Sequence, residues 1–244
     1  MGLTKRADLL LVERGLYESR ARAQAAIAAG LVTVDGAPLT KASRVIDEAA
    51  VIDARAAHPY VSRGGVKLAA ALDHFAIDPK DRDALDIGAS TGGFTDLLLK
   101  RGARHVIAVD VGHDQFHHSL RGDPRIDLRE GCDVRSLKKE DLKVAPSLIT
   151  IDVSFISLTL IIPHLSALAA EQAICIALIK PQFEVGRAQL KKGIVRDEAA
   201  RRDAVTRVTE AFQSSGWTLR GVIDSPIEGG DGNREYLLCA ECHR

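Results

Sequence analysis

The chain has neither an excess of one charge nor a long apolar run. Lys and Arg together number 33, as do Asp and Glu, so the net charge favours no acidic or basic partner. No segment reaches the roughly 18 consecutive apolar residues that a membrane helix needs, and the first residues lack the apolar core of a signal peptide. These absences predict a cytoplasmic protein that does not act within a membrane.

Cysteine is scarce and methionine is nearly absent. The four cysteines, at positions 132, 175, 239 and 242, are expected to be free thiols in a reducing compartment. The segment CAECH, residues 239–243, has the spacing of a c-type haem attachment site. Such attachment requires export, and Met1 is the one methionine that could serve as a second axial ligand. We interpret the segment as part of a last strand, YLLCAEC, and predict no haem or metal site.

Residues 1–52 have the pattern of a small α+β domain. Thr4 and Ser19 are placed to cap two helices, the second of which ends at Gly30. The segment LVTVDGAPL that follows predicts a short hairpin, because Asp35-Gly36 is a turn signal between two apolar runs.

From residue 53 the sequence DARAAHPYVSRGG breaks this pattern and predicts a linker at 53–60. In residues 61–244, strand and helix patterns alternate, beginning with GGVKLAAALDHF as a helix, DALDIG as a strand and GGFTDLLLKRG as a helix. The alternation continues to a helix at 197–214 and two closing strands, TLRGVID and REYLLCA. This order predicts an α/β domain with a parallel, doubly wound sheet and a final antiparallel hairpin.

A glycine-rich turn joins the first strand of this sheet to its helix. Its sequence, LDIGASTGGF at residues 85–94, has the spacing G-x-x-x-G-G and misses the dinucleotide fingerprint G-x-G-x-x-G. Asp110 ends the second strand, where it can accept hydrogen bonds from ribose hydroxyls. Asp133 follows the third strand, where it can accept from an adenine amino group or cap the next helix. The combination favours S-adenosylmethionine, which has no pyrophosphate, over NAD; a plain tight turn with two surface aspartates is the structural alternative.

Four charged side chains stand out in the second domain: Lys67, Asp152, Lys180 and Glu235. Lys180 follows the apolar run IALI and precedes a proline, which favours extended geometry and forbids a helical turn there, so we expect it to end a strand. Asp152 ends the preceding strand, so both should lie at the edge where open α/β sheets bind ligands. The plainer alternatives are a structural ion pair between these two residues, a solvated Lys67 and a surface Glu235.

These residues resemble those of a known family. The segment DIGASTGGF, with the four charged residues in the order Lys-Asp-Lys-Glu, resembles the FtsJ-like ribose 2′-O-methyltransferases and their tetrad. The segment RADLLLVERGLYESRARAQAAIAAGLVTVDG, residues 6–36, looks like an S4 RNA-binding domain. The combination is similar to the TlyA family, also called hemolysin A, which methylates cytidine 2′-hydroxyls in ribosomal RNA. YVSRGGVKL, DVSFISL, IKPQFE and GNREYLL extend the resemblance over nearly the whole chain.

The resemblance implies a fold and a cofactor. The fold is that of a Rossmann-like SAM-dependent methyltransferase, with a mostly parallel seven-stranded sheet and a terminal antiparallel hairpin, preceded by a small α+β S4 domain. Family members commonly have Asn where this chain has Asp133. The residues implied to bind S-adenosylmethionine are Gly88, Ala89, Ser90, Thr91, Gly92, Gly93, Phe94, Asp110, Val111, Asp133, Val134 and Asp152.

The implied chemistry is direct methyl transfer to a ribose hydroxyl, which needs positioning and a base. We assign Lys180 as the base, because its position at the end of an apolar strand should be less hydrated than that of Lys67. Asp152 would orient Lys180. Lys67 and Glu235 would hold the ribose, and the reverse assignment of the two lysines stays open. No metal is expected, since no phosphoryl charge develops.

Both domains are expected to bind RNA. Arg20 and Arg22 open a helix whose amino-terminal N–H groups favour phosphate, and phosphate contacts position an enzyme without choosing the nucleotide. The loop EVGRAQLKKGIVR is placed to close over a target cytidine, which by analogy would swing out of its helix; a solvated surface loop is the plainer alternative. The predicted RNA-binding residues are Arg6, Ser19, Arg20, Arg22, Gln24, Lys41, Arg63, Arg187, Lys191 and Lys192.

The expected partner is ribosomal RNA, free or within ribosomal subunits, and a monomer is compatible with the sequence. Because the S4-like motif begins within a few residues of Met1, the chain is similar to shorter family members, which favours the large-subunit RNA. A rival interpretation is a non-catalytic S4-type RNA-binding or ribosome-assembly factor, against which the intact tetrad argues. A pore-forming hemolysin is disfavoured by the absence of an apolar span or a strongly amphipathic long helix.

Overall fold

The chain divides between Pro59 and Tyr60 into two units, Met1–Pro59 and Tyr60–Arg244. It is represented by a computed structural model that describes residues 3–17, 19–54, 58–229 and 232–243. The predicted linker at 53–60 contains the division between the units, and its residues 55–57 lie outside the described residues. Each unit has its own apolar core.

The first unit packs two helices against small sheets. Its elements are β1 (Thr4–Arg6), α1 (Ala7–Glu13), α2 (Arg20–Ala28), β2 (Val32–Val34), β3 (Ala37–Pro38), β4 (Val45–Asp47) and β5 (Ile52–Ala54). β1 pairs with β4, and β2 lies between β3 and β5. Leu11, Ile27 and Val32, from α1, α2 and β2, are buried in one cluster, so both helices cover a single small core.

The two helices of this unit begin differently. Ser19 caps α2, because its Oγ accepts a hydrogen bond from Arg22 N at 3.3 Å, and Gly30 follows the helix with a φ of 72°. Thr4 lies in β1, so the prediction that it caps a helix is wrong. β1 pairs with β4 instead, and the first N–H groups of α1 donate to the backbone oxygens of residues 42 and 44. Backbone carbonyl groups before β4 therefore accept the hydrogen bonds that a capping side chain would otherwise accept at the start of α1.

The second unit is a seven-stranded sheet between helices. Its strands are β6 (Asp83–Ile87), β7 (His105–Asp110), β8 (Ile126–Glu130), β9 (Leu148–Ile151), β10 (Gln172–Ile179), β11 (Thr218–Asp224) and β12 (Tyr236–His243). Its α-helices are α3 (Gly64–His74), α4 (Gly93–Lys100), α5 (Ile162–Leu168), α6 (Pro181–Glu184) and α7 (Glu198–Ser214). The strand order is β11-β12-β10-β9-β6-β7-β8.

Five of these strands run parallel, and β12 and β11 run antiparallel at one edge. Leu85 and Ile87 of β6 pack into a core with α5 and α7, whereas Ala84 packs into a core with α3 and α4. The central strand is therefore buried on both faces, as parallel sheets generally are. This confirms the predicted α/β fold with its terminal antiparallel hairpin.

The strand order fixes where a ligand site can form. From β6 the chain proceeds to β7 and β8 on one side, while β9 and β10 lie on the other. The order thus reverses between β6 and β9, and the crevice at the carboxyl ends of two such strands is the usual ligand site of an open α/β sheet. Gly88 and Asp152 follow these two strands directly.

Two further features concern sequence predictions outside this crevice. No described helix combines the length and the apolar character needed to span a membrane, and the described residues form no group of His, Cys, Asp and Glu that could hold a metal ion. The segment CAECH lies in β12, where Cys239 and Cys242 are buried free thiols.

Candidate active site

The glycine loop is shaped by close neighbours as well as by its own backbone. Gly88 follows β6 with a φ of 82°, and Gly92 precedes α4 with a φ of 89°. A methyl group on Gly88 would collide with the carbonyl oxygen of Asp152, and one on Gly93 would collide with the Ser62 hydroxyl. Left-handed backbone and close approach at the strand-order reversal therefore both require glycine here.

A buried carboxylate supports this loop from within the sheet. Asp86 in β6 is fully buried and accepts hydrogen bonds from Thr95 Oγ1 of α4 at 2.6 Å and from Thr150 Oγ1 of β9 at 2.9 Å. Burial raises the pKa of Asp86 to about 6. Sequence reasoning missed this residue, although a carboxylate inside an apolar strand is a recognisable signal.

Asp110 connects the loop after β7 to the glycine loop. Its Oδ2 accepts a hydrogen bond from Ser90 N at 2.7 Å, and its Oδ1 accepts one from Gly112 N at 2.7 Å. A carboxylate oxygen can accept a second hydrogen bond, so Asp110 keeps acceptor capacity for a ligand hydroxyl.

A cavity of about 600 Å³ opens at the carboxyl ends of β6, β7, β8 and β9, a size typical of small-molecule sites. We term it the glycine-loop cavity. The predicted cofactor residues that line it are Gly88, Ser90, Asp110, Val111, Asp133, Val134 and Asp152.

A second cavity, of about 270 Å³, shares Gly88, Ser90, Asp152 and Ser154 with the first. Because Lys67 and Lys180 line it, we term it the lysine cavity. The other predicted cofactor residues in its wall are Ala89, Thr91, Gly93 and Phe94. The two cavities are therefore neighbours that meet at Asp152.

Two ammonium–carboxylate pairs hold the lysines of this cavity. Lys180 Nζ lies 2.6 Å from Asp152 Oδ1 and donates a hydrogen bond to Ser154 Oγ at 2.9 Å. Lys67 Nζ pairs with Glu235 Oε2. The Glu235 side chain is 2% exposed and that of Lys67 10%, so the alternatives of a solvated Lys67 and a surface Glu235 are wrong. The Lys180 side chain is 12% exposed, so burial does not distinguish the two lysines.

The sheet explains how these four residues meet. β9 and β10 are parallel neighbours, so Asp152 and Lys180 lie side by side as predicted. β12 pairs with β10 in the antiparallel sense, with Tyr236 opposite Ile179. Glu235 therefore reaches the same edge because β12 begins where β10 ends, and Lys67 reaches it from α3.

The proline after Lys180 does not prevent a helical turn. Lys180 is extended, with φ −112° and ψ 97°, but α6 begins directly after it at Pro181. The predicted absence of a helical turn is therefore wrong. Proline restricts the residue before it, yet its own fixed φ suits the first position of a helix, where no N–H partner is needed.

Asp133 takes the capping role that the sequence left open. It accepts a hydrogen bond from Arg135 N at 2.9 Å at the start of a 3₁₀ turn. Its carboxylate also pairs with the Arg135 guanidinium, which lowers the pKa of Asp133 below its ordinary value. Asp133 also lines the glycine-loop cavity, so its contact with an adenine amino group stays a prediction.

Phe155 is a candidate site residue that sequence reasoning did not single out. It is 91% exposed and has a φ of 66°, a conformation rare for a residue with a side chain and often found at functional sites. Its ring centre lies 5.1 Å from that of Phe183, and it lines the glycine-loop cavity. The signal available in the sequence was one aromatic residue in DVSFISL, three positions after Asp152, the polar residue at the end of the strand.

Glu184 joins the loops that follow β9 and β10. It is buried, accepts hydrogen bonds from Ser157 Oγ at 2.5 Å and Leu158 N at 2.8 Å, and has its pKa raised by burial. The loop that carries Asp152 and Phe155 is therefore fixed to the helix that follows Lys180.

The predicted RNA-binding residues fall into several environments. Arg6, Arg20 and Gln24 of the first unit donate to Asp8, whereas Lys41 is exposed. In the second unit Arg63 lines the lysine cavity. Lys191 and Lys192 are exposed on a turn closed by backbone hydrogen bonds between Lys191 and Ile194. The Arg187 side chain lies outside the described part of the chain.

Comparison with known proteins agrees with this architecture. A model of the family described as FtsJ-like methyltransferase matches residues 60–242, and a model of the S4 domain matches residues 5–52. The chain is thus an S4 domain joined to an FtsJ-like methyltransferase domain.

Similar proteins identify the family more closely. The 16S/23S rRNA (cytidine-2′-O)-methyltransferase TlyA of Mycobacterium tuberculosis is 43% identical over 98% of this chain and 90% of its own length. Hemolysin A of Brachyspira hyodysenteriae is 40% identical over 95% of this chain and 98% of its own length. A solved structure from Streptococcus thermophilus, provisionally named a hemolysin, superposes with a TM-score of 0.78 at 40% identity, covering 100% of this chain and 90% of that one. The chain belongs to the TlyA family.

The close approach at Gly88 is testable against a matched glycine. Gly88 and Gly122 both have a left-handed φ, 82° and 89°, which costs a residue with a side chain about 1 to 2 kcal/mol. A Cβ at Gly122 meets nothing within 4 Å, whereas one at Gly88 meets the Asp152 backbone. Denaturant unfolding should therefore show Gly88→Ala losing about 1 to 3 kcal/mol more than Gly122→Ala. Equal losses would contradict the close approach.

Proposed function

We propose that the protein transfers a methyl group from S-adenosylmethionine to the 2′-hydroxyl of a cytidine in ribosomal RNA. The observation that carries the proposal is the lysine cavity, where Lys67, Asp152 and Lys180 meet beside the glycine loop. The name of the Mycobacterium tuberculosis relative supports the substrate, and a ribosomal RNA substrate implies action in the cytoplasm.

The residues of the two cavities fit S-adenosylmethionine. Asp152 pairs with Lys180 through Oδ1, and its side chain is still partly exposed. Since Asp152 lines both cavities, its carboxylate can also accept from an amino group of a ligand in either, because a carboxylate has several acceptor sites. Asp110 offers acceptors for ribose hydroxyls, and exposed Val111 offers apolar surface for a purine. When bound, the cofactor supplies an electrophilic methyl group.

The lysine cavity would perform the proton transfer. A ribose hydroxyl becomes a good nucleophile as its proton leaves, so a base must lie within hydrogen-bond reach. Lys180, in its neutral form, would accept that proton at Nζ, where Asp152 and Ser154 hold it. Lys67, fixed by Glu235, would position the ribose oxygen.

Phe155 would hold the base of the target nucleotide. A cytidine inside a helix cannot place its 2′-hydroxyl in a cavity at the edge of this sheet unless it swings out, which costs stacking energy. An exposed aromatic ring beside the glycine-loop cavity offers a new stacking surface for the displaced base.

Methylation of ribosomal subunits from cells that lack the enzyme tests the lysine assignment. With labelled S-adenosylmethionine, wild type should produce 2′-O-methylcytidine, detected by mass spectrometry of nuclease digests. Lys180→Met should lower the rate at saturating substrate about 100-fold or more, because general-base catalysis typically contributes that much. Calorimetry with S-adenosylmethionine, and with NAD as the competing ligand, shows whether the cofactor site is intact.

Matched variants separate this result from a loss of folding. Lys100 also pairs with a carboxylate, Asp96, but at the far end of α4, so Lys100→Met should methylate like wild type. The double variant Lys67→Met/Glu235→Gln avoids an unpaired buried charge, which costs about 3 to 5 kcal/mol. Wild-type labelling by both the Lys180 variant and this double variant would remove the lysine mechanism. Absence of label with wild type would favour a non-catalytic RNA-binding factor.

The stacking assignment predicts a change in substrate binding. Phe155→Ala should raise KM for the RNA about tenfold, since stacking of a base on an aromatic side chain is worth roughly 1 to 3 kcal/mol, whereas Phe155→Tyr should stay near wild type. Val144, exposed in the segment that precedes β9, provides the control variant Val144→Ala. An unchanged KM for Phe155→Ala would refute the assignment.

A further inference from the structure

The first unit contains a buried carboxylate that the proposed reaction does not use. Asp8, in the first turn of α1, has a side chain with 0% exposure. Arg6 donates to it through Nε and Nη2 at 3.0 Å each, Arg20 through Nη2 at 3.0 Å, and Gln24 through Nε2 at 2.8 Å. All three donors belong to the set that the sequence predicts to bind RNA.

Local structure brings these donors to one point. Arg6 ends β1 directly before α1, so it lies beside the first turn of that helix. Arg20 and Gln24 are four residues apart on α2 and therefore share one face of it. That face of α2 lies next to the start of α1, because Arg20 and Gln24 both donate hydrogen bonds to Asp8, as Arg6 does.

Arg6 and Arg20 share one oxygen of Asp8. Each Nη2 lies 3.0 Å from Oδ2, so the two nitrogens cannot be further apart than twice that distance. Two like charges this close repel each other unless a negative charge compensates them. Hydrogen bonding from Arg6 holds the pKa of Asp8 well below its usual range, so the compensating charge is present at neutral pH.

Both arginines remain accessible to a ligand. Their side chains are 44% and 53% exposed, for Arg6 and Arg20 respectively. The planar guanidinium group binds phosphate oxygens through two parallel hydrogen bonds. A long surface side chain loses rotamer freedom when it binds, and one that is already held in place loses less.

We infer that Asp8 is the positioning residue of the RNA-binding surface, and that it holds Arg6 and Arg20 together as a paired receptor for the phosphate backbone of RNA. Gln24 completes the hydrogen bonding of the carboxylate. The inference rests on the proposed RNA substrate and extends it to a residue that is itself too buried to touch RNA.

Asp8→Asn distinguishes positioning from simple electrostatics. Removing a negative charge beside the arginines makes the surface more positive, so charge alone predicts tighter RNA binding. Loss of positioning predicts weaker binding, by about tenfold, the scale of a lost charge-assisted hydrogen bond. The measurement is the Kd of the full chain for ribosomal subunits from cells that lack the enzyme, over a series of salt concentrations.

A double-mutant cycle shows whether Asp8 acts through its partner. If it does, Asp8→Asn should weaken RNA binding less in the Arg20→Ala background, where only Arg6 is left to position, than in wild type, whereas a general structural defect would give the same loss in both backgrounds. Glu13→Gln is the control, because Glu13 is an exposed carboxylate of α1 that also pairs with a cation, Lys5. It should keep wild-type affinity.

Arg6→Lys provides a second variant should Asp8→Asn fail to fold. It keeps the charge at an exposed position but loses the two-nitrogen contact with Asp8, and it should also weaken RNA binding. The inference is overturned if Asp8→Asn or Arg6→Lys binds ribosomal subunits as tightly as wild type or more tightly. Failure of wild type to bind them would overturn the proposed function and this inference together.

Discussion

Compensation of buried charge at one edge of a parallel sheet is the constraint on which the candidate site depends. Lys67 and Lys180 line a single small cavity, and an isolated buried ammonium group would be strongly unfavourable. Each is therefore held beside a carboxylate. One pair follows from the parallel neighbours β9 and β10, whereas the other needs α3 and the antiparallel strand β12. The site is complete only when the whole carboxyl edge of the sheet has formed.

The glycine loop places this charged cluster next to a larger cavity. Gly88 closely approaches the Asp152 backbone, and both residues line both cavities. Asp86 fixes the loop from inside the sheet, and Glu184 fixes the loop that carries Phe155. Within the described residues, neither Asp86 nor Glu184 hydrogen-bonds to Lys67 or Lys180. They fix the positions of the glycine loop and of the loop after β9. A methyl donor in one cavity and a ribose in the other would thus meet at Asp152.

The sequence predicts those parts of the structure that depend on chain direction and periodicity. Alternating strand and helix patterns give the parallel sheet, and its direction brings Asp152 and Lys180 together. The convergence of Lys67 and Glu235 has no such periodic signal, and only the resemblance to a family indicated it. Local rules failed where tertiary contacts satisfied the same need in another way. Thr4 pairs with Asp47 in a strand, and the backbone oxygens of residues 42 and 44 accept from the start of α1 in its place.

Features that arise from packing alone were not predictable. The polar residue Asp8 looks like an ordinary helix surface residue until side chains from positions 6, 20 and 24 are seen around it. The exposure and left-handed backbone of Phe155 likewise depend on how its loop is fixed. Contacts made within a folded unit, rather than any linear motif, define these two residues.

A structure of the enzyme with its RNA substrate and S-adenosylhomocysteine measures the central claim most directly. The account predicts the 2′-oxygen of a cytidine within about 3.2 Å of the Nζ atom of Lys180 or Lys67, the reach required of a general base, with both lysines still beside their carboxylates. A target ribose whose 2′-oxygen lies far from both ammonium groups would contradict it.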